Sequence, residues 1–537
     1  MDSRFDTGNI TRMNAVTKAQ GSKTRAVVIG AGMGGLASAI RLAAAGLDVT
    51  LVETAAGPGG KMRRDASPAG PVDKGPTVLT MLPVFEALFA LCGERLQDHL
   101  TLVPQPVLAR HWWPDGGTLD LHDRLEANLD AISDFAGPRE AAAFRRFDRL
   151  ATELFTAFEA PVMLAPRPDL RGIARAVATR PRLWSALMPG RTLNGLLRQY
   201  FRDPRLIQLF GRYATYVGGR PNHSPALLAL IWQAEAQGVA AVQGGMSELA
   251  AALAQLAQKL GVRLLFDTRA TRIVRQGGHV TGVQLAGGPT LPCELCVFNG
   301  DPAALQQGLM GDGPQGAVAA AATSPRSLSA WVWAFAATPS GPPLIHHNVF
   351  FTADPAAEFG PIGHGRMPEE PTLYVCAEDR LTAGTPVGLE RFEIIMNAPA
   401  GIAADSHEEP QCRTRTFDRL ARFGLTFSPQ PAPSALTTPA MLARDFPGSQ
   451  GAIYGRSPEG TFAAFHRPPA TTTLPGLYLA GGGAHPGAGI AMAALSGRHA
   501  AEAIMRDLTS RSGSTQTAMP GGMSTGSATT GRAPFRS

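Results

Sequence analysis

Apolar positions fall into two spacings along the chain, and the switches between them outline its elements. Val27 to Ile29 is a short apolar run, Leu36, Ile40 and Leu42 follow at helical spacing, and Val49, Leu51 and Val52 form a second run. This order predicts strand, turn, helix and strand over residues 25–53. The turn carries Gly30, Gly32 and Gly35 as G-x-G-x-x-G, and Glu53 ends the second strand about twenty residues later. Glycines there let the backbone approach a pyrophosphate, the helix N-terminus adds N–H groups and a dipole, and the acid can bond ribose hydroxyls. Together they predict a bound dinucleotide. No second strand–GxGxxG–helix unit follows, so a tightly held nicotinamide nucleotide is not expected.

Further along, Leu249, Leu253, Leu256 and Leu260 share one helix face. Strand-like runs VRLLF, ATRIVRQ, HVTGVQL and ELCVFN come next, with a hairpin expected at Gly277-Gly278. Near the other end Leu477 to Ala480 reads as a strand, Gly481 to Gly489 as a loop, and Ile490 to Leu495 as the start of a helix whose free N–H groups face a negatively polarised group. Residues 25–80, 238–300 and 470–508 therefore form one nucleotide-binding domain, discontinuous in sequence. Two insertions, 81–237 and 301–469, are left to build a substrate domain. The first is helical in pattern; the second holds LSAWVWAF, TLYVCAE and RFEIIMN. Trp331, Trp333 and Phe335 alternate on one strand face, as tunnel lining or as core. Residues 1–24 and 509–537 are expected to be disordered tails, the latter with Ser, Thr and Gly at 17 of 29 positions.

Composition narrows the setting. The 537 residues suffice for two or more connected domains. Charged residues make up 17%, below the usual quarter, while Gly (60) and Pro (44) are abundant, which suits a loop-rich α/β enzyme. A pI near 9.3 permits contact with anionic membranes. Five cysteines suggest no disulfide framework; Cys293 and Cys296 read as packing residues, and a reducing cytoplasm is expected. The N-terminal stretch lacks an apolar h-region, and Met13 is an alternative start. No run reaches the length of a membrane span. Residues 167–205 hold nine Arg and two acids around Leu183, Trp184, Leu187 and Met188, a pattern suited to a membrane surface.

Two loops beyond Glu53 carry a resemblance. Gly59-Gly60-Lys61 and Asp73-Lys74-Gly75-Pro76-Thr77 resemble the flavin amine oxidase and carotenoid desaturase superfamily. GLYLAGGGAHPGAGIAMAALSG, residues 476–497, resembles the bacterial-type phytoene dehydrogenase signature, and Gly482 stands where amine oxidases generally carry an acid. Within the insertions, LARHWWPDGGTLDL, HHNVFF, PTLYVCAEDR and IIMNAPA, with GPTVLTMLPVFEALFALCG before them, resemble the 1-hydroxycarotenoid 3,4-desaturases. The resemblance implies a Rossmann-type FAD-binding domain of the glutathione reductase/amine oxidase-like superfamily, an α/β fold with an α+β substrate domain. It implies cofactor contacts at Gly30, Gly32, Gly35, Glu53, Gly60, Lys61, Gly75, Pro76 and Thr77, beside the adenine at Ala270, and at Gly482, His485, Pro486, Gly487, Gly489 and Ile490.

The implied reaction makes a double bond beside a polyene: hydride passes from an allylic carbon to flavin N5, and a proton leaves the neighbouring carbon. The polyene spreads the developing charge, so no strong base is required, in keeping with the lack of a Ser/His/Asp or metal-ligand constellation. His346 and His347 are candidate acid/base groups or hydroxyl anchors; as adjacent strand residues, at most one can face the site. His485, before Pro486, is the third candidate. The resemblance further implies a membrane-dissolved carotenoid substrate, oxygen or a quinone as electron acceptor, a cytoplasmic protein held peripherally on the membrane, no metal, and no nucleic-acid partner. A phytoene desaturase, a carotenoid isomerase and a non-catalytic prenyl-lipid escort of the same fold stay open as alternatives.

Overall fold

A computed structural model describes residues 23–382, 384 and 386–515. The expected tails lie mostly outside these residues. Positions 509–515, assigned to the second tail, instead continue the last helix to Thr515.

The chain opens with strand β1 (Arg25–Ile29), helix α1 (Met33–Ala44) and strand β2 (Asp48–Val52). The first insertion contributes the hairpin β3 (Val107–Trp112) and β4 (Thr118–His122), the long helix α2 (Pro138–Phe158), and the shorter α3 (Leu170–Ala178) and α4 (Leu183–Leu187). Then come α5 (Ser247–Lys259), β5 (Arg263–Leu265), the hairpin β6 (Ala270–Gln276) and β7 (His279–Leu285), and β8 (Leu295–Phe298). The second insertion supplies β9 (Ser329–Ser340), β10 (His347–Phe350), β11 (Leu373–Ala377) and β12 (Glu390–Ala398), and β13 (Leu477–Leu479) and α6 (Ile490–Thr515) complete the fold.

β13, β8, β1, β2 and β5 form a parallel sheet in that order, with Val27 opposite Cys296 and Val28 opposite Leu51. β1 lies between β2, its neighbour in sequence, and β8, reached only after the first insertion. This reversal of direction opens a crevice at the carboxyl ends of the strands, where α/β sheets bind ligands. One face of this sheet packs on α1, α5 and α6, and the other on the β6–β7 hairpin. α6 crosses α1 at glycine contacts: a Cβ on Gly497 would stand 2.3 Å from the Gly34 carbonyl oxygen. On α5, Leu249, Leu253 and Leu256 are fully buried, as their spacing predicts. The β6–β7 hairpin turns at Gly277 and Gly278, both at positive φ, with Gln276 paired to His279.

Both insertions return to this core before leaving it. Phe85, Phe89, Leu96 and Leu100 pack with α1 and α5, and Leu305, Met310 and Val318 pack beneath β7 and β8. The substrate part begins beyond them. Its sheet joins β9, β12, β11 and β10 antiparallel, then β3 parallel to β10 and β4 antiparallel to β3. Trp331, Trp333 and Phe335 are buried in the core on one side of β9, so core packing, not tunnel lining, is their place. No helix among the described residues is long and apolar enough to cross a membrane.

Candidate active site

The crevice begins at the first glycine turn. Gly30 has φ of +100°, and a Cβ on Gly35 would stand 2.0 Å from the Gly30 carbonyl oxygen, so helix and strand close together only without side chains. Asn299, just past β8, donates from Nδ2 to the Gly30 carbonyl at 3.1 Å and fills the space beside Gly34 and Gly481. α1 starts at Gly32 with no side-chain cap, leaving its first N–H groups for a ligand. Glu53 accepts from the Ala31 N–H through Oε2 at 2.7 Å and from the Ala55 N–H through Oε1 at 2.8 Å. Each carboxylate oxygen keeps a further lone pair for a ribose hydroxyl.

The second glycine loop docks on this turn. Gly59 N–H donates to the Ala31 carbonyl at 2.9 Å, and a Cβ on Gly60 would touch Gly32 Cα at 3.0 Å. Lys61 donates from Nζ to the Ile453 carbonyl at 2.6 Å, and burial pulls its amine down to about 8. Gly75 has φ of +155°, backs against the Lys61 carbonyl, and donates its N–H to Glu393 at 2.6 Å. The 481–489 loop is fixed by a residue that composition and motif reading pass over. Arg467, buried, donates to the carbonyls of Gly482 (2.7 Å), Tyr454 (2.8 Å) and Arg456 (2.9 Å), and burial lowers its guanidinium to about 10.

One cavity of about 2440 Å³ joins these parts. Ordinary small-molecule sites reach about 1,000 Å³, so there is room for two ligands. At one end its wall is Gly30, Gly32, Glu53 and Ala270; in the middle Gly60, Lys61, Gly75, Pro76 and Thr77 meet Gly482, Pro486, Gly487, Gly489 and Ile490. Beyond them the wall carries a group of apolar side chains, Phe155, Phe158, Val162, Ile207, Leu228, Ile231, Val332 and Phe351, with polar ones such as Asn194, Arg202 and Gln208 among them. Val332 shows that β9 turns the face opposite its tryptophans toward the cavity. Of the predicted cofactor contacts, Gly35 and His485 lie outside this wall: Gly35 serves the helix–strand approach, and His485 is held behind the loop.

The three candidate histidines stand apart from the cavity. His346 precedes β10 rather than lying in it, so its ring and that of His347 do not take opposite faces but sit 4.4 Å apart, both buried. His346 bonds the Ala377 carbonyl at 3.0 Å, and burial lowers it to about 4. His347 is also pushed well down by burial, and its Nδ1 meets Tyr374 Oη at 2.7 Å. Ligand atoms of His346, His347 and Cys376 lie within 4.8 Å of one another, but burial drives the Cys376 thiol well up, away from the thiolate a metal takes. His485 bonds the Ala165 carbonyl through Nε2 at 3.0 Å and stacks on His499, tying the 481–489 loop to the segment before α3.

The sequence matches the flavin-containing amine oxidoreductase family over residues 33–505. It is 63% identical to a hydroxyneurosporene desaturase of Cereibacter sphaeroides over 91% of this chain and 99% of that one, and 61% identical to one from Rhodobacter capsulatus over 90% and 98%. Cyclohexylamine oxidase from Brevibacterium oxydans shares the fold, with TM-score 0.54 at 17% identity over 91% of this chain and 100% of that one. The chain belongs to the flavin-containing amine oxidoreductases. Within that family it is a carotenoid desaturase, an FAD-dependent oxidoreductase. The glycine cradle, the uncapped N-terminus of α1 and the spare lone pairs of Glu53 fit the dinucleotide half of the cofactor. The loops around Lys61, Thr77 and Gly482 leave the middle of the cavity for the ring system.

Sequence reasoning missed several residues that shape this flavoenzyme's site. Asn299 and Arg467 act on backbone groups brought together only by folding, and no spacing signals them. Tyr374, Arg212, Tyr216 and Glu235 line the cavity from positions scattered along the sequence. The run VFNGD at the carboxyl end of a predicted strand was the one local hint, pointing to Asn299 and Asp301 at the rim.

Proposed function

We propose that this desaturase acts on 1-hydroxy carotenoids such as hydroxyneurosporene, converting the 3,4 single bond to a trans double bond and giving demethylspheroidene. The observation that carries this reading is the continuity of the cavity: a glycine-built cradle for FAD shares one cavity with a group of apolar side chains suited to a polyene. The names of the relatives supply the substrate class.

Bound FAD supplies the hydride acceptor. The chain's own residues do the rest. Phe155, Phe158, Ile231 and Phe351 hold the polyene and exclude water. Val332 and the Gly75–Thr77 loop press the allylic carbons toward the middle of the cavity. The proton lost from the neighbouring carbon is acidified by the polyene's delocalised charge, so a weak acceptor suffices. The electrons pass finally to oxygen or a membrane quinone.

Entry from a membrane is supported by the surface around α3 and α4. Leu170 (69%), Trp184 (59%), Met188 (53%) and Phe462 (61%) are exposed. Thr461, next to Phe462, accepts from the Gly190 N–H, so Phe462 lies alongside this patch. α3 buries none of its residues, and Arg171 and Arg175 lie on it. Two residues of the expected patch are not exposed: Leu183 is fully buried, and Leu187 packs against the core. Apolar side chains flanked by arginines suit an anionic bilayer surface.

Co-expression with neurosporene, hydroxyneurosporene or phytoene, followed by absorption spectra of the extracted pigments, tests the reading. A product with one further conjugated double bond from hydroxyneurosporene is expected. Conversion of phytoene instead marks a phytoene desaturase, and an unchanged chromophore length marks an isomerase or a lipid escort.

A further inference from the structure

Among the polar side chains that line the cavity, one group is buried and tied together by its own contacts. Arg212 begins a helical turn over Arg212–Val217, and Glu235 stands on the helix Leu230–Ala236. Glu235 is buried and accepts hydrogen bonds from the Tyr213 hydroxyl and, at 3.0 Å, from the Tyr216 hydroxyl. The Arg212 guanidinium lies 4.9 Å from the Tyr216 ring centre, and its Nε has no hydrogen-bond partner. Arg212, Tyr216 and Glu235 all face the cavity.

A second polar chain reaches the same wall. Thr77 Oγ1 and Tyr374 Oη are 2.7 Å apart, and Tyr374 Oη is 2.7 Å from His347 Nδ1. Thr77 belongs to the loop at the middle of the cavity. Thr77 and Tyr374 line the same cavity as Arg212, Tyr216 and Glu235. Charges in an apolar tunnel are costly unless something polar meets them. Hydride transfer does not use them, and neither does a hydrocarbon chain. An alcohol does: its oxygen accepts from the guanidinium, and its O–H donates to the carboxylate or to the Tyr216 hydroxyl oxygen.

We propose that Arg212, Tyr216 and Glu235 form the seat for the substrate's terminal hydroxyl and set the preference for hydroxylated over hydrocarbon carotenoids. The proposal rests on the 1-hydroxycarotenoid reading above. The seat also bears on regiochemistry: only one carbon separates the carbinol carbon from the 3,4 pair, so a seated hydroxyl fixes where along the cavity that pair lies. These are positioning residues, and their signature is selectivity.

The test uses the FAD-loaded full chain with hydroxyneurosporene and neurosporene in liposomes, measuring kcat/KM for each. Tyr216→Phe keeps the ring and loses one hydroxyl; Arg212→Lys keeps the charge and loses the planar fork. The expected result is a fall of about tenfold or more in kcat/KM for hydroxyneurosporene in each variant, with neurosporene turnover unchanged or raised. Equal losses on both substrates, or loss of FAD from both variants, would assign a structural role and overturn the proposal. A parental preference that survives both substitutions overturns the seat and leaves the proposed function standing. A parent with no preference for the hydroxylated substrate overturns both.

Discussion

Replacing Glu53 with Gln probes the cofactor cradle with almost no change of shape. Both carboxylate oxygens already accept backbone N–H groups, from Ala31 at 2.7 Å and Ala55 at 2.8 Å. An amide must turn its NH2 toward one of them or toward the ribose. A ribose hydroxyl can rotate to accept; a backbone N–H cannot. One hydrogen bond is therefore lost and the others no longer involve a charge, at about 1.5–3 kcal/mol for a bond to a charged group. If the loss falls on the ribose-bound state, the FAD dissociation constant rises about 10- to 150-fold. Apoprotein titrated with FAD, followed by quenching of FAD fluorescence, measures it, and the apoprotein melting temperature separates binding from stability. A dissociation constant within about threefold of the parent would refute the role given to Glu53.

Gly35→Ala places a Cβ 2.0 Å from the Gly30 carbonyl and should yield protein without bound flavin; a yellow, fully loaded variant would contradict the tight turn. Lys61, held down at about 8 by burial, is neutral in the folded apoprotein while still charged when unfolded at pH values between about 8 and its ordinary 10.5. The unfolded state then binds more protons, so Lys61 makes apoprotein stability rise with pH across that window; denaturant titrations should show a shallower rise in Lys61→Met, and identical slopes would count against the assignment. On the proposed membrane face, replacing Arg171, Arg175, Arg180 and Arg182 with Gln should release the protein from anionic liposomes, each arginine near the surface contributing about 1 kcal/mol. Replacing Leu170, Trp184 and Phe462 with Ser should weaken binding even at low salt, and co-sedimentation equal to the parent in both variants places the docking surface elsewhere.

The nucleotide-binding half was legible because its signals are local. A glycine turn between a strand and a helix, an acid at the end of the next strand, and a glycine loop before a helix each lie within a few residues of one another. The substrate half was legible only as strands and helices. Trp331 and Trp333 face the core because β9 is covered on that side by Phe417 and Phe427, partners far along the chain. His346 and His347 attract notice as a pair, yet both are buried, and their bonds go to the Ala377 carbonyl and the Tyr374 hydroxyl, on a neighbouring strand. Arg467 holds three carbonyls from two loops, a role that exists only once those loops meet. Phe462 joins the exposed patch from the far end of the second insertion, a proximity that no window of sequence contains.

Anaerobic mixing of the yellow, FAD-loaded protein with hydroxyneurosporene in liposomes tests the central claim most directly. A shared cavity predicts bleaching of the flavin absorbance in step with a red shift of the carotenoid spectrum, one product formed per flavin reduced. A flavin that stays oxidised while the carotenoid is bound or isomerised would contradict it.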